Sequence, residues 1–156
     1  MTMQIGTGDT YDPRVIAMLD HHVATVRAQT APGSAHALDL SGLRAPDIAF
    51  WTGWDGETLV AVGALKTLSA DHGEVKSMHT LQVARRRGFA GQMLGHLIAE
   101  ARARGLKRLS LETGSWDHFK PAHALYRAHG FVPCGPFEGY VEDPNSVFLT
   151  LDLTGR

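Results

Sequence analysis

The chain has 156 residues, of which 44% are hydrophobic and 20% are charged, and its formal net charge is −1. This is the composition of an ordinary globular protein, and the length predicts a single domain over residues 1–156. A near-neutral charge excludes nucleic acid as a bulk electrostatic partner, because proteins that bind it usually carry a basic surface. With one cysteine, no long apolar run and no basic leader, we expect a cytoplasmic protein without an intramolecular disulfide or a membrane segment.

Hydrophobic patterning predicts strands and helices in the order β-α-β-β-β-α-β-α-β-β. Apolar residues recur at helical spacing or alternate along a strand, and the Asp55-Gly56 pair between two apolar runs indicates a β-hairpin. This order predicts an α/β (α+β mixed) protein with a mixed six- to seven-stranded sheet flanked by helices. The predicted elements cover residues 3–8, 12–29, 48–54, 58–66, 74–83, 89–105, 108–113, 121–129, 131–134 and 146–153.

A basic segment that contains glycine precedes the second long helix and reads RRRGFAG at residues 85–91. The unpaired N–H groups at a helix start, together with the helix dipole, bind phosphate or pyrophosphate. The spacing matches neither the dinucleotide pattern G-x-G-x-x-G nor the P-loop pattern G-x-x-x-x-G-K-[ST]. The segment therefore predicts a phosphorylated ligand that is held by a different kind of loop.

The spacing Arg85-x-x-Gly88-x-Ala90 resembles the pyrophosphate loop of the GCN5-related N-acetyltransferase (GNAT) superfamily. Residues 74–80 (EVKSMHT) resemble the fourth strand of that family, and residues 124–131 (ALYRAHGF) resemble its helix-to-strand signature. The three segments follow one another in the order and at the spacing of the family. The resemblance implies a single acetyltransferase domain in which this strand, loop and helix build the site.

Two further segments, ETG at residues 112–114 and DPNSVF at residues 143–148, resemble a bacterial subgroup of the same superfamily. The resemblance implies an enzyme that transfers an acetyl group from acetyl-CoA to a primary amine of a small molecule, by direct attack in a ternary complex. A non-catalytic acyl-CoA-binding regulatory module and an acetyltransferase that acts on a protein amine are the alternatives. A homodimer is compatible with the sequence, which does not identify the acceptor.

The resemblance also implies which residues hold acetyl-CoA. The N–H groups from Arg86 to Gly91 would face the pyrophosphate, and the neighbouring arginines would add positive charge. Strand backbone at Met78 to Thr80 would pair with the pantetheine arm and polarise the thioester carbonyl. The implied donor-binding residues are Met78, His79, Thr80, Arg85, Arg86, Arg87, Gly88, Phe89, Ala90, Gly91 and Tyr126.

Three residues are candidates for proton transfer. By resemblance, Tyr126 would protonate the leaving thiolate. Glu74 lies where many relatives have a strand glutamate that deprotonates the amine, and His79 is the second candidate base because an unperturbed imidazole has a pKa near about 6.5. Side chains alternate along a strand, so we expect Met78 to share a face with Glu74 and His79 to take the other, unless a bulge intervenes.

One position departs from the family pattern, because Phe119 stands where many relatives have an asparagine that contacts the cofactor. We expect Trp116 and Phe119 to pack in the core, with a wall of the substrate cavity as the alternative role. Acidic residues of the last loop, together with Glu112 and Asp117, are candidates for attracting a cationic amine, and a solvated polar loop is the alternative. Histidine spacing predicts no metal site, since no set of His, Cys and carboxylate residues has the spacing of a zinc site.

Overall fold

The computed structural model describes residues 3–81 and 87–155. Its seven strands form one sheet in the order β1-β2-β3-β4-β5-β7-β6, in which β4 and β5 pair in parallel and the other neighbours pair antiparallel. The strands are β1 (Gln4–Thr7), β2 (Ile48–Asp55), β3 (Thr58–Thr67), β4 (His72–Thr80), β5 (Arg108–Gly114), β6 (Val132–Pro133) and β7 (Ser146–Asp152). The helices are α1 (Pro13–Ala28), α2 (Leu40–Leu43), α3 (Phe89–Ala103) and α4 (Lys120–Ala128), and a 3-10 turn spans Asp117–Phe119.

This order of elements confirms the mixed α/β architecture predicted from the sequence, with a seven-stranded sheet. A short helix that was not among the predicted elements, α2, lies in the loop after α1. Boundaries differ from the predictions by one or two residues at most ends, as is usual where helices and strands fray. The last part of the predicted fourth strand, residues 82–83, lies outside the described residues. In the described part of the chain, no helix is long and apolar enough to cross a membrane.

The helix α1 packs on one face of the sheet together with α2. Asp12 caps its start by accepting a hydrogen bond from the Arg14 N–H at 2.8 Å, and Pro13 occupies the first turn, where a missing N–H costs nothing. Val15 and Leu19 are 1% and 2% exposed and meet Val62 and Ala64 of β3 in one apolar cluster. This cluster holds the helix against the sheet and fixes the direction in which its C-terminal end points.

The other face of the sheet is covered by α3 and α4. The apolar stripe predicted for α3 is buried, and it forms the larger of the two apolar clusters with β3, β5 and α4. A fully buried leucine contributes about 1.5–3 kcal/mol relative to an exposed one, so this stripe is the main anchor of α3. Its members are Phe89, Met93, Leu94, Leu97, Ile98 and Ala101.

A β-bulge interrupts β4. Lys76 pairs with Ala64 and His79 pairs with Val62, so three steps along β4 match two steps along β3. Ser77 lies inside the bulge with a φ of 55°, in the left-handed region that non-glycine residues rarely adopt. An extra residue reverses which side chains face each side of the sheet beyond it.

Because of the bulge, the side chains along β4 face different sides of the sheet from those expected. Met78 packs with the α3 cluster, whereas the His79 ring contacts His22 of α1 on the opposite face. Glu74 and His79 therefore lie on the same face, and the expectation that strict alternation separates them is wrong. The physical reason is the inserted residue at the bulge, which shifts the alternation by one position.

The sheet opens between its two parallel strands. The ladder of β4 and β5 consists of three pairs and ends at Glu74 and Ser110, although β4 continues to Thr80 and β5 to Gly114. Beyond that point, β5 keeps its pairing with β7 up to Gly114 and Ser146, while β4 stays paired with β3. The two halves of the sheet thus separate and leave a cleft that is accessible from both faces.

Candidate active site

A cavity of about 110 Å³ lies in the cleft between β4 and β5. Its wall comes from both faces of the sheet: α1 and the loop after it on one side, α4 on the other, and the separated strands between them. A cavity of this size accommodates several waters or a small ligand. The residues of its wall used below are His22, Thr30, Ser34, His36, Lys76, Ser77, Met78, Glu112, Gly114, Phe119 and Tyr126.

Tyr126 reaches the cavity from α4. Its side chain is 7% exposed, and its ring contacts that of Phe131 at 5.8 Å between centroids. Burial, reinforced by the negative charge of Glu112, raises the pKa of the Tyr126 phenol to about 12. The phenol therefore carries its proton throughout the neutral range.

Glu112 lines the cavity from β5. Burial raises the pKa of its carboxyl group above the ordinary value, and the nearby Lys76 acts in the opposite sense. A carboxylate with a raised pKa is a stronger base than an exposed one, because it binds a proton more tightly. Glu112 thus provides a basic group in the cavity that also attracts cations.

Glu74 lies next to the cavity, where its carboxylate is held by two neighbours. It is 2% exposed, it accepts a hydrogen bond from the Tyr140 hydroxyl at 2.6 Å, and its oxygen is 3.4 Å from the Lys76 ammonium. Lys76 also donates to the Tyr140 oxygen at 3.0 Å and to the carbonyl oxygen of His36 at 3.1 Å. These contacts join β4 to two distant loops and compensate the buried carboxylate within the protein.

The loop that carries Tyr140 is fixed at a second point. Asp143 accepts a hydrogen bond from the Ser34 hydroxyl at 2.6 Å, and the same carboxylate accepts one from the Asn145 N–H at 2.9 Å. The indole N–H of Trp116 donates to the Asn145 side chain at 3.1 Å. The last loop and the loop after α1 therefore meet over the α1 face of the cavity.

Two histidines form a buried pair beside the cavity. The Nδ1 atoms of His22 and His79 are 3.1 Å apart, and each side chain is 9% exposed. At that separation one ring donates its proton and the other accepts it, so the pair is compatible with two neutral rings. Burial, together with the nearby His21, lowers the pKa of His22 to about 4.

The start of α3 presents backbone N–H groups that have no partner within the helix. Gly88 caps the helix in the left-handed conformation, with a φ of 85° and no side-chain cap. The first intrahelical hydrogen bond runs from Gln92 N to the Gly88 oxygen at 3.1 Å, so the N–H groups of Phe89, Ala90 and Gly91 precede the helical ladder. This is the arrangement that favours an anionic ligand.

The sequence of this chain matches the model of the acetyltransferase (GNAT) family over residues 16–131. The chain belongs to the acetyltransferase (GNAT) family. The match includes the cleft, the cavity and the start of α3, and it confirms the resemblance found in the sequence. The expected enzyme class, an N-acetyltransferase, is likewise confirmed by the relatives described next.

Three relatives align with most or nearly all of this GNAT chain. It is 47% identical over 151 residues to the "Uncharacterized N-acetyltransferase YsnE" of Bacillus subtilis (strain 168), covering 97% of this chain and 100% of that protein. It is 46% identical to the "Uncharacterized N-acetyltransferase YedL" of Escherichia coli (strain K12), covering 96% and 94%. It is 40% identical to the "IAA acetyltransferase" of Azospirillum brasilense, covering 77% and 78%.

Solved structures share the GNAT fold. A Klebsiella pneumoniae subsp. pneumoniae MGH 78578 protein assigned as an acyl-CoA N-acyltransferase superposes with a TM-score of 0.82 at 27% identity, covering 97% of this chain and 98% of that one. A GNAT family acetyltransferase from Elizabethkingia anophelis with acetyl-CoA bound gives a TM-score of 0.71 at 16% identity, covering 96% and 97%. The second likeness concerns the fold alone.

In this GNAT fold, the described residues that are predicted to bind the donor occupy three places. Met78, His79 and Thr80 follow the bulge in β4, the described part of the loop lies at the start of α3, and Tyr126 lies on α4. Arg85 and Arg86 lie outside the described residues. The Arg87 guanidinium lies 3.3 Å from the carboxylate of Asp55.

The structure also settles the positions of two aromatic residues. Phe119 is half-buried and lines the cavity, which is the role considered as an alternative to core packing. A Cβ atom at Gly114 would meet the Phe119 ring at 2.2 Å, so a glycine is needed opposite this side chain. Trp116, by contrast, is 41% exposed.

Several cavity residues were not predicted as site residues from the sequence. Lys76 and Tyr140 are 64 positions apart and meet only after folding, and no motif marks Thr30, Ser34 or His36. Glu112 belonged to a recognised motif, but only as a candidate for electrostatic attraction. Among the described residues, no group of three or more His, Cys, Asp or Glu side chains is arranged to hold a metal ion.

Replacing Tyr140 by phenylalanine removes the donor that lies 2.6 Å from Glu74 and leaves a buried carboxylate with one partner fewer. We expect the free energy of unfolding to fall by about 1.5–3 kcal/mol, which is typical of a hydrogen bond to a charged group. Urea unfolding measures this loss. Tyr11→Phe, at a tyrosine that is 71% exposed, is the matched control, and an equal small effect in both variants would contradict the role of Tyr140.

The His22 pair predicts a sensitivity to acid. Because burial lowers the pKa of His22 to about 4 in the folded protein, whereas an unperturbed imidazole has a pKa of about 6.5, the unfolded chain binds the proton first as the pH falls. This costs the folded state up to about 3 kcal/mol between pH 7 and pH 4. We expect His22→Asn to show a shallower loss of stability over that range in urea unfolding, and the exposed-site variant His118→Asn to follow the wild-type slope.

Proposed function

We propose that this GNAT enzyme transfers the acetyl group of acetyl-CoA to a primary amine of a small molecule, by direct attack in a ternary complex. The observation that carries the proposal is the cavity in the opened sheet. It joins the face covered by α3 and α4, where the donor-binding segments lie, to the face covered by α1, where the polar pocket lies. Two substrates that enter from opposite faces meet there.

The residues of this chain fit acetyl-CoA as the donor, which supplies an acetyl group activated as a thioester. The start of α3 presents the N–H groups of Phe89, Ala90 and Gly91 ahead of the helical ladder, as a pyrophosphate requires. Gly88 leaves space there, since the nearest atom to a Cβ at this position would be 4.0 Å away. The parting of β4 from β5 leaves strand backbone near Met78 to Thr80 for the pantetheine arm.

Glu112 is proposed as the base that deprotonates the amine. An alkylammonium group has a pKa near about 10 and must lose a proton before it attacks. Glu112 lines the cavity, whereas Glu74 is engaged by Tyr140 and Lys76 beside it. The carboxylate of Glu112 therefore accepts the proton, and Glu74 holds its neighbours in position.

Tyr126 is proposed as the acid that assists the leaving thiol. Its phenol is protonated at neutral pH and lines the cavity from the α4 side. Across the reaction, a bond forms between the amine nitrogen and the acetyl carbon while the bond between that carbon and sulfur breaks. The ammonium nitrogen loses two protons in total. Glu112 takes the first before the attack and later releases it to solvent, and the second, lost after the attack, replaces the proton that Tyr126 gives to the sulfur. The products are an N-acetyl amine and free CoA.

We expect Tyr126→Phe to lower turnover by about a hundredfold, the lower end of what a positioned acid contributes, while the affinity for acetyl-CoA changes little. Thiol release with a saturating amine measures turnover, and isothermal titration measures acetyl-CoA binding. Phe131→Tyr, which changes the ring packed against Tyr126, controls for general disturbance of this contact. Unchanged turnover in Tyr126→Phe would remove this residue from the mechanism.

The assignment of the base is tested by comparing Glu112→Gln with Glu74→Gln. We expect kcat/KM of the wild type to fall as the pH drops through the raised pKa of Glu112, because the protonated carboxyl cannot act as a base. Glu112→Gln should lose this acidic limb and about a hundredfold or more in rate. Glu74→Gln should keep the acidic limb of the pH profile. Loss of this limb in Glu74→Gln would indicate that Glu74 is the base.

Acetyl-CoA binding without transfer to any amine would instead indicate a regulatory module.

A further inference from the structure

Two buried hydroxyl groups of the cavity wall have no hydrogen-bond partner in the described part of the chain. Thr30 is 5% exposed and Ser77 is 7% exposed, and both residues line the cavity. The hydroxyl of Ser34 on the same wall differs, since it donates to Asp143 at 2.6 Å. A buried hydroxyl without a partner costs about 1–3 kcal/mol, so a ligand that bonds to these two groups recovers that loss.

Ser77 adds a second observation to the first. Its φ of 55° is in the left-handed region, where a side chain costs of order 1–3 kcal/mol and a glycine would be relaxed. The backbone of the bulge thus holds the side chain of Ser77 at the cavity, although a residue without a side chain would fit the backbone better. Such strain is common where a side chain serves a ligand.

The charges of the cavity limit the ligand further. Lys76 is the one Lys or Arg on the described wall, and it is already engaged: it donates to Tyr140 and to the His36 carbonyl, and its ammonium lies 3.4 Å from the Glu74 carboxylate. Glu74 is compensated by the same contacts. Glu112 is left as the carboxylate of the wall without such an ion pair, which suits a ligand with one positive charge.

We propose that the acceptor is a compact amine with a single positive charge that also bears a hydroxyl group, as in a small amino alcohol. Glu112 binds its ammonium group, and Thr30 and Ser77 bind its hydroxyl, which can donate to one of them and accept from the other. This inference rests on the proposed function and specifies its acceptor. The cavity of about 110 Å³ has room for an acceptor of this size.

Other classes of amine fit these residues less well. A polyamine brings a second cation, for which the described wall has no further uncompensated carboxylate. An amino acid brings a carboxylate, and the Lys76 ammonium that could bind it is already paired with Glu74 and donates to two other oxygens. An alkylamine satisfies Glu112 but leaves both hydroxyl groups without a partner, and a site built to bond a substrate hydroxyl rejects an analogue that lacks one.

The test compares acceptors that differ only by a hydroxyl in place of a methyl group. Ethanolamine is paired with propylamine, and propanolamine is paired with butylamine, in assays of thiol release from acetyl-CoA. In the pair that contains the faster substrate, we expect wild-type kcat/KM for the amino alcohol to exceed kcat/KM for the alkylamine by about tenfold or more, which corresponds to about 1.4 kcal/mol. Putrescine and β-alanine represent the polyamine and the carboxylate, and a preference for either of them would overturn the inference.

Variants then show which residues cause the preference for the amino alcohol. We expect Thr30→Val and Ser77→Ala each to lower kcat/KM for the amino alcohol by about three- to tenfold more than kcat/KM for the alkylamine, the value of one neutral hydrogen bond. Ser77→Gly removes the backbone strain at the bulge as well as the hydroxyl group. We expect it to reduce the preference for the amino alcohol as much as Ser77→Ala does, which would show that the hydroxyl group and not the strain causes the preference. Thr58→Val, at an exposed threonine at the start of β3, should retain the wild-type preference.

The outcomes separate this inference from the function on which it rests. Transfer to amino alcohols and alkylamines at equal rates, or equal losses for both substrates in the variants, overturns the inference and leaves the N-acetyltransferase function in place. Transfer to no amine at all overturns both. Circular dichroism and urea unfolding of each variant confirm that a loss of rate is measured on folded protein, and Thr30→Val tests the inference independently if a Ser77 variant does not fold.

Discussion

The bulge in β4 is the constraint on which the rest of this structure depends. One inserted residue, Ser77, shifts the alternation of the strand, and it lies three residues beyond Glu74, where the pairing of β4 with β5 ends. A parallel pair of strands in the centre of a sheet would otherwise be closed by continuous hydrogen bonds. The cavity lies where this pairing has ended, and the bulge places Ser77 at its wall and His79 on the α1 face.

The α1 face of the cavity, where the acceptor is proposed to bind, depends on a second feature, which is the compensation of buried charge. Glu74 is almost fully buried, and a carboxylate in that position is stable only with donors close by. Tyr140 and Lys76 supply them, and in doing so they tie the last loop to β4. The same contacts leave Glu112 as the basic group that the proposed chemistry uses, so packing and reactivity are linked through one set of side chains.

The fold was predictable, and the donor-binding segments could be proposed, because both are encoded locally. The glycine at 88, the basic residues before it and the apolar stripe of α3 are neighbours in sequence, and their meaning depends on backbone geometry that short segments specify. Tyr126 was recognisable for the same reason, since it lies in a contiguous helix-to-strand motif. The face of His79 was not predictable, because a single bulge changes it and nothing local marks Ser77 as left-handed.

The sequence by itself determined the order of elements, the family and the segments proposed to hold acetyl-CoA, since each of these is written in short runs of adjacent residues. Only the tertiary structure decided which side chains form the proposed acceptor pocket. Thr30, Lys76 and Glu112 line the cavity and Tyr140 contacts Lys76 beside it. These residues come from four separate segments, and they converge because the sheet opens and two loops close over it. Contacts between residues so far apart in sequence depend on packing of the whole chain, which no local pattern records.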